Sequence, residues 1–369
     1  KLISLDEKNF QATVEPGLIN EEFQNILKEK KLFYPPDPAS KGTCTLGGNF
    51  ALNAGGPKAV KYGVTANYVL NLEVVLPDGT TFWTGANTLK NSTGYNLTQL
   101  IIGSEGTLAV ITKAVVKLLP LPSAQILMLV PFQNNADACD AVARIMRNEI
   151  TPSGLEFMEL EAVQFVRDQN YSEIPFDIEK NIESYLLIEL DGNKKDQLII
   201  DAEKIYDILK NYKCGKILFA EDSNEQERIW KVRRVIGLAV KSYSVYKEED
   251  TVVPRAHLTK LLTGVKKIGK KYNFRSICYG HAGDGNLHVN ILKEGLTDYE
   301  WDFVLKNAIR EIFKLCVALG GTISGEHGIG LVQKEYMDIP FSKKNLSLQK
   351  KLKALFDPNN ILNPGKIFP

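Results

Sequence analysis

Histidine and paired cysteine are scarce in this sequence. The four histidines, His257, His281, His288 and His327, all lie in the last third of the chain. The five cysteines (Cys44, Cys139, Cys214, Cys278, Cys316) are scattered, and no CxxC spacing occurs. That excludes an encoded zinc ribbon or iron–sulfur cluster. An odd, sparse set of thiols suits a reducing compartment, so a cytoplasmic location is expected. Charge of one sign is also missing: 45 Lys and Arg stand against 44 Asp and Glu. A net charge of +1 gives no support to a nucleic-acid or anionic-membrane partner. No apolar run has the length of a membrane span. The most apolar region, residues 114–132, contains Lys117, Pro120 and Pro122 and reads as two strands. The opening Lys1-Leu2-Ile3-Ser4-Leu5-Asp6 has no long apolar core, so no signal peptide is expected. Neither a GxGxxG fingerprint nor a Walker loop is present, which argues against Rossmann and P-loop nucleotide binding.

What is there is an ordinary globular composition, 44% apolar and 24% charged over 369 residues, long enough for two domains. The first third is rich in glycine and turns. Phe23, Ile26 and Leu27 at helical spacing, with Glu21 and Glu22 ahead of them, predict a helix over residues 20–31. Tyr34-Pro35-Pro36-Asp37-Pro38 cannot continue it. Residues 70–77 and 80–84 read as strands about an Asp78-Gly79 turn, and residues 107–119 as a further strand or strand pair. After Pro122 strands and helices alternate: 126–131, 154–158, 185–190 and 216–220 as strands; 137–147, 196–212 and 223–243 as helices. The last of these opens on Ser223 and Gln226 at capping-box spacing. The order is that of a ferredoxin-like βαββαβ unit with one extra helix.

Two histidines lie in Cys278-Tyr279-Gly280-His281-Ala282-Gly283-Asp284-Gly285-Asn286-Leu287-His288-Val289-Asn290. Strand-like residues on both sides of Gly-Asp-Gly predict a hairpin, whose open end would bring His281 and His288 together. Neutral imidazoles at that distance suit a zinc-type ion, and Gly325-Glu326-His327-Gly328 offers a carboxylate as third ligand. A hydrogen-bonded core histidine is the bland alternative for each. In the first third, Gly47-Gly48-Asn49, Asn53-Ala54-Gly55-Gly56 and Gly103-Ser104-Glu105-Gly106-Thr107 expose backbone to which a phosphate or ring face can come close, although most glycine loops serve turns.

Taken together, Phe33-Tyr34-Pro35-Pro36-Asp37-Pro38, Cys44-Thr45-Leu46-Gly47-Gly48-Asn49, Lys61-Tyr62-Gly63, Gly103-Ser104-Glu105-Gly106-Thr107, Gly280-His281-Ala282-Gly283-Asp284-Gly285-Asn286-Leu287-His288, Glu326-His327-Gly328-Ile329-Gly330 and the closing Asn360-Ile361-Leu362-Asn363-Pro364-Gly365-Lys366 resemble the FAD-linked oxidase family of the vanillyl-alcohol oxidase/p-cresol methylhydroxylase superfamily. The resemblance implies an α+β fold: a partial p-cresol methylhydroxylase-type FAD-binding domain followed by a ferredoxin-like α/β cap. The expected divisions are 1–122 for the second part of the FAD domain, 123–325 for the cap and 326–369 for a segment returning to the FAD site. The family's first subdomain, with its pyrophosphate loop, has no counterpart in these residues.

The resemblance further implies FAD contacts at Pro36, Gly47, Gly48, Asn49, Asn53, Ser104, Gly106, Val110, Ile111 and Asn363. With no histidine before residue 257, histidyl attachment of FAD within residues 1–122 is excluded. A divalent metal of the zinc or manganese type would sit on His281, His288 and Glu326. The implied reaction is oxidation of a small D-2-hydroxy acid (D-lactate, glycolate or D-2-hydroxyglutarate type) to the 2-oxo acid. In it His327 takes the hydroxyl proton, the C2 hydride passes to flavin N5, Arg233 forks onto the substrate carboxylate, and Lys247 and Asn290 add contacts. His257 is expected in a structural role and Trp230 in packing. The electrons would leave to a partner protein or a quinone, and a homodimer is compatible with the sequence. Two other classes stay open: a metal-dependent hydrolase on the same His-His-Glu set, and a flavin-free, non-catalytic chain.

Overall fold

Antiparallel pairing around one apolar strand organises the first sheet. The computed structural model describes residues 1–369, and the chain divides into two compact units, Lys1–Leu121 with Glu326–Pro369, and Pro122–Gly325. In the first unit, β1 (Leu2–Asp6), β2 (Gln11–Val14), α1 (Asn20–Glu29) and β3 (Leu32–Phe33) lead to α2 (Leu46–Leu52) and α3 (Ala59–Tyr62). Then come β4 (Val69–Val75), β5 (Thr81–Trp83), α4 (Leu97–Ile101), β6 (Val110–Lys117) and β7 (Leu119–Pro120). The five-stranded sheet has the order β1-β2-β6-β4-β5, and β3 pairs separately with β7. Ala114 and Val116 of β6 and Leu72 and Val74 of β4 are fully buried, as period-2 alternation against a core requires. Phe23 and Leu27 of α1 pack into the same cluster. The predicted Asp78-Gly79 turn is present: Gly79 has φ +86° and Asp78 Oδ1 accepts from Thr80 N at 2.9 Å.

The second unit runs β8 (Ala124–Phe132), α5 (Asn135–Met146), β9 (Gly154–Glu159), α6 (Leu160–Asp168), β10 (Ser184–Gly192), α7 (Lys195–Leu209), β11 (Leu218–Ala220) and α8 (Ser223–Tyr243). It continues with β12 (Tyr246–Val252), α9 (Leu258–Tyr272), β13 (Arg275–Gly280), β14 (Asn286–Leu292) and α10 (Leu305–Ala318). Its seven strands form one antiparallel sheet ordered β11-β8-β10-β9-β13-β14-β12. The first four strands, in the spatial order fourth-first-third-second, make the ferredoxin-like half, with α6 as the extra helix. Strands β13, β14 and β12 extend it beyond β9. Leu187, Met158, Tyr279 and Ile277 line one face, where α6 and α8 contribute Val163, Val166, Trp230 and Ile236 to the same cluster.

The start of α8 departs from expectation. Asp222, not Ser223, is the N-cap: its Oδ1 accepts from Asn224 N and Glu225 N at 3.0 and 3.1 Å. A carboxylate at the positive helix end outcompetes the hydroxyl. Gln226 is thereby released to donate to Ala220 O at 3.0 Å, tying the helix to β11.

The first unit closes with α11 (Lys343–Phe356). Lys353 on it pairs with Asp357 and donates to Thr107 O and Leu362 O, both at 2.9 Å. No helix is long and apolar enough to cross a membrane.

Candidate active site

In the second unit the site is built on the β13–β14 hairpin. Its connection is one 3-10 turn, Ala282–Asp284, ended by Gly285 at φ +79°. A Cβ there would lie 1.9 Å from Val253 O, so only glycine fits. Gly285→Ala is expected to destabilise the unit by roughly 1–3 kcal/mol. A thermal melt checks this, and an unchanged midpoint would show that the hairpin tip is free to move.

His281 directly precedes this turn, and His288 faces Tyr279 across the ladder. The two imidazole rings stand 5.5 Å apart at 83°, with both residues about 5% exposed. They meet at the turn end of the hairpin and not, as expected, at its open end, because only a single 3-10 turn separates the two strands beside them.

Alternation along β14 puts Asn286, His288 and Asn290 on one face. The register adds Asp250 opposite His288 and Glu248 opposite Asn290 from β12. Glu248 and Asp250 approach His288 Nδ1 at 3.5 and 3.8 Å. Asp250, fully buried, accepts from Asn286 Nδ2 (2.7 Å) at Oδ1, and from Ser324 Oγ (3.0 Å) and Gly325 N (2.8 Å) at Oδ2. It therefore fixes the chain at Gly325 against the strand that carries His288.

Sequence reasoning missed Glu156. It lies on β9, fully buried, and both its oxygens are 2.9 Å from His281 Nδ1. Its Oε2 is also 2.7 Å from Arg233 Nη2 on α8. Burial alone would raise this carboxyl; the charges and hydrogen bonds of His281 and Arg233 outweigh it and hold the group below its ordinary value. The signal was a lone acid in the apolar run Gly154-Leu155-Glu156-Phe157-Met158. Arg233 is 3% exposed, with its carbon centre 5.1 Å from the Tyr279 ring and its Nε without a hydrogen-bond partner.

Lys247 falls elsewhere. It pairs with Ile291, so its side chain leaves the sheet on the opposite face from Glu248 and Asn290. Its Nζ donates to Trp301 O at 2.8 Å and sits 4.7 Å from the Trp301 ring centre. The period of two along β12 thus places Lys247, expected as a substrate contact, against Trp301. His257 accordingly has a structural bond, Nδ1 to Leu319 O at 2.7 Å. Trp230 is buried and donates to Glu189 at 2.8 Å. The thiols of Cys139, Cys278 and Cys316 are buried and pushed up to about 12, which leaves them inert as nucleophiles or ligands.

The donor set suits a divalent ion. With metal–nitrogen bonds of about 2.0–2.1 Å and a tetrahedral angle, two ring centres belong about 5 Å apart, close to the 5.5 Å seen here. His281 already commits Nδ1 to a carboxylate, the usual support of a metal-bound imidazole.

The first unit carries its own groove of about 540 Å³, wholly within that unit. Gly47, Gly48 and Ser104 line it, with Gly106, Val110, Ile111 and Asn363. A Cβ on Gly47 would come 2.6 Å from Pro16 Cβ, and one on Gly106 2.8 Å from Asn363 Nδ2, so the groove exists in this shape because these residues are glycines. Exposed backbone flanked by Val110 and Ile111 suits the rings and linkage of a dinucleotide. Pro36, Asn49 and Asn53 do not line it. Pro36 O accepts from Asn20 Nδ2 and Gln24 Nε2, both at 3.1 Å. Asn49 turns inward to Asn20 at 3.2 Å. Asn53, at φ 54°, ends α2 and accepts from Ala66 N at 2.8 Å. Polar side chains beside glycine are the usual mark of ligand loops, but here they stitch the turns.

Two motifs separated in sequence are one structure in this unit. Glu105, buried at φ +53°, accepts from Ile329 N at 2.7 Å and Gly330 N at 2.9 Å. The carboxylate of Gly-Ser-Glu-Gly thereby sets the backbone of the loop bearing Glu326 and His327. A Cβ on Gly328 would meet Glu105 Oε1 at 2.8 Å, and one on Gly55 would meet Glu326 Oε2 at 3.2 Å. His327 is exposed and Glu326 half-buried.

The sequence profile "FAD linked oxidases, C-terminal domain" matches residues 121–367, and "FAD binding domain" matches residues 1–85. Among curated proteins, the glycolate oxidase subunit GlcD of Bacillus subtilis is 37% identical over all of this chain and 77% of its own length. The D-lactate dehydrogenase of Anaerostipes hadrus is 35% identical (100% and 78%), and the D-2-hydroxyglutarate dehydrogenase of Stutzerimonas stutzeri 30% (100% and 79%). Among solved structures, p-cresol methylhydroxylase with substrate bound superposes with a TM-score of 0.77 at 17% identity, covering 100% of this chain and 78% of that one. The 4-ethylphenol oxidase of Gulosibacter chungangensis gives 0.74 at 16%, covering 100% and 79%. At those identities the likeness concerns the fold.

Proposed function

Since the chain belongs to the FAD-linked oxidase family and is an FAD-linked oxidoreductase, we propose that it oxidises a small D-2-hydroxy acid to the 2-oxo acid with the help of a divalent metal. The observation that carries this reading is the grouping, in the second unit, of two buried imidazoles 5.5 Å apart with a buried guanidinium whose Nε is uncommitted. A hydroxy acid presents an oxygen for the first and a carboxylate for the second. The three relatives named above carry glycolate, D-lactate and D-2-hydroxyglutarate in their names, which supports the substrate class.

His281 and His288 would hold the metal, with Glu326 as the third ligand that the family resemblance implies. Such an ion supplies a positive charge that makes the substrate's 2-hydroxyl easier to deprotonate. Arg233 grips the substrate carboxylate through its planar fork. Asn290, fully buried beside Glu248, orients the substrate by hydrogen bonding. His327, next in the chain after Glu326, takes the hydroxyl proton, a transfer suited to an imidazole near neutral pH. The glycine groove of the first unit, lined by Gly47, Gly48 and Gly106, would hold FAD, which would supply the acceptor for the electron pair from C2. With no CxxC for a cluster relay in the sequence, a protein or quinone would be the onward electron acceptor.

Anaerobic flavin bleaching with a panel of D- and L-2-hydroxy acids, with and without chelator, tests the reading. One D-acid should bleach the flavin, and chelator should abolish it. Bleaching that ignores chelator removes the metal, whereas flavin that no 2-hydroxy acid bleaches removes the substrate class.

A further inference from the structure

Glu156 has two partners that the proposed chemistry uses for different purposes. His281 Nδ1 lies 2.9 Å from each of its oxygens, so the carboxylate receives that ring edge-on. Once the ring gives up its Nε2 proton, as a metal ligand must, it still donates from Nδ1 and keeps its lone pair on Nε2. Arg233 Nη2 lies 2.7 Å from Oε2, and its guanidinium is braced on the other side by the Tyr279 ring at 5.1 Å. Gly237 of α8 makes room for that ring, since a Cβ there would stand 3.1 Å from the Tyr279 hydroxyl.

We propose that Glu156 is a positioning residue that fixes at once the metal-facing edge of His281 and the carboxylate-binding edge of Arg233. It touches neither metal nor substrate. One fully buried carboxylate on a central strand holds an imidazole from the hairpin and a guanidinium from a helix in fixed relation. Metal affinity and substrate affinity therefore depend on the same residue, although different side chains provide them. This rests on the proposed metal and substrate reading of His281 and Arg233.

The test uses Glu156→Gln and Glu156→Asp in the FAD-loaded protein, stripped of metal and titrated with Mn2+ by calorimetry, followed by steady-state kinetics on the acid that bleaches the wild type. Glutamine still accepts one hydrogen bond but no longer neutralises Arg233, so the Mn2+ Kd should rise about 10–100-fold. KM should rise with it, with kcat changing less. Aspartate keeps the charge and should recover part of both. A Glu156→Gln protein that retains its melting temperature, Mn2+ affinity and KM overturns the proposal while leaving the metal reading intact. Wild-type protein that takes up no Mn2+ overturns the metal reading first, and this inference with it. Should the glutamine variant fail to fold, 15N chemical shifts of His281 in Zn2+-loaded wild type decide: coordination through Nε2 with Nδ1 protonated is expected, and coordination through Nδ1 overturns the assignment.

Discussion

Replacing His327 by glutamine is expected to slow flavin reduction by the D-acid substrate about 10²–10⁴-fold, the usual contribution of a general base. FAD content and melting temperature should not change. His327 is exposed, and its loop is held by backbone bonds from Ile329 and Gly330 to Glu105. Glutamine is close in size and can hydrogen-bond, but it accepts no proton at neutral pH. Stopped-flow reduction under anaerobic conditions measures the step directly. An undiminished rate would remove His327 as the base and leave the binding roles of its neighbours untouched.

How much of this was legible depended on the range of the physics involved. The hairpin around Gly-Asp-Gly was readable because alternation and turn chemistry are local; the observed strands, Arg275–Gly280 and Asn286–Leu292, follow that pattern. The ferredoxin-like strand order was readable from the alternation of elements, whereas the extension of the same sheet by β13, β14 and β12 was not, since no local signal says which edge a later strand joins. The placement of Lys247 was illegible for a related reason. The family resemblance implied a substrate contact there, and only the register, Lys247 opposite Ile291, shows which face it leaves from. Asn49 and Asn53 were expected as FAD contacts from the family resemblance, and their inward bonds to Asn20 and Ala66 N were illegible because polar residues beside glycine serve binding loops and turn stitching equally well. Glu156 escaped notice because its value lies in partners 125 and 77 positions away, His281 and Arg233. A buried acid in an apolar strand announces that a partner exists without naming it.

Arg233 separates stability from recognition in a single pair of variants. Arg233→Met leaves the fully buried Glu156 without its strongest permanent cation, and breaking such a pair from one side costs about 3–5 kcal/mol. A fall in melting temperature should therefore accompany the loss of activity. Arg233→Lys keeps a charge near Glu156, so most of that stability should return. Lysine offers a single ammonium where the guanidinium offers a planar fork already braced on Tyr279, so it should not restore the grip on a substrate carboxylate. The expected loss in kcat/KM is roughly 2–5 kcal/mol, thirty-fold or more, and it should fall mainly on KM. A substrate analogue in which the carboxylate is replaced by a neutral group supplies the decisive arm. Wild type and Arg233→Lys should treat that analogue alike if the arginine reads the carboxylate. If the lysine variant loses as much on the neutral analogue as on the acid, Arg233 acts through the packing of α8 on the sheet, and the carboxylate is recognised elsewhere.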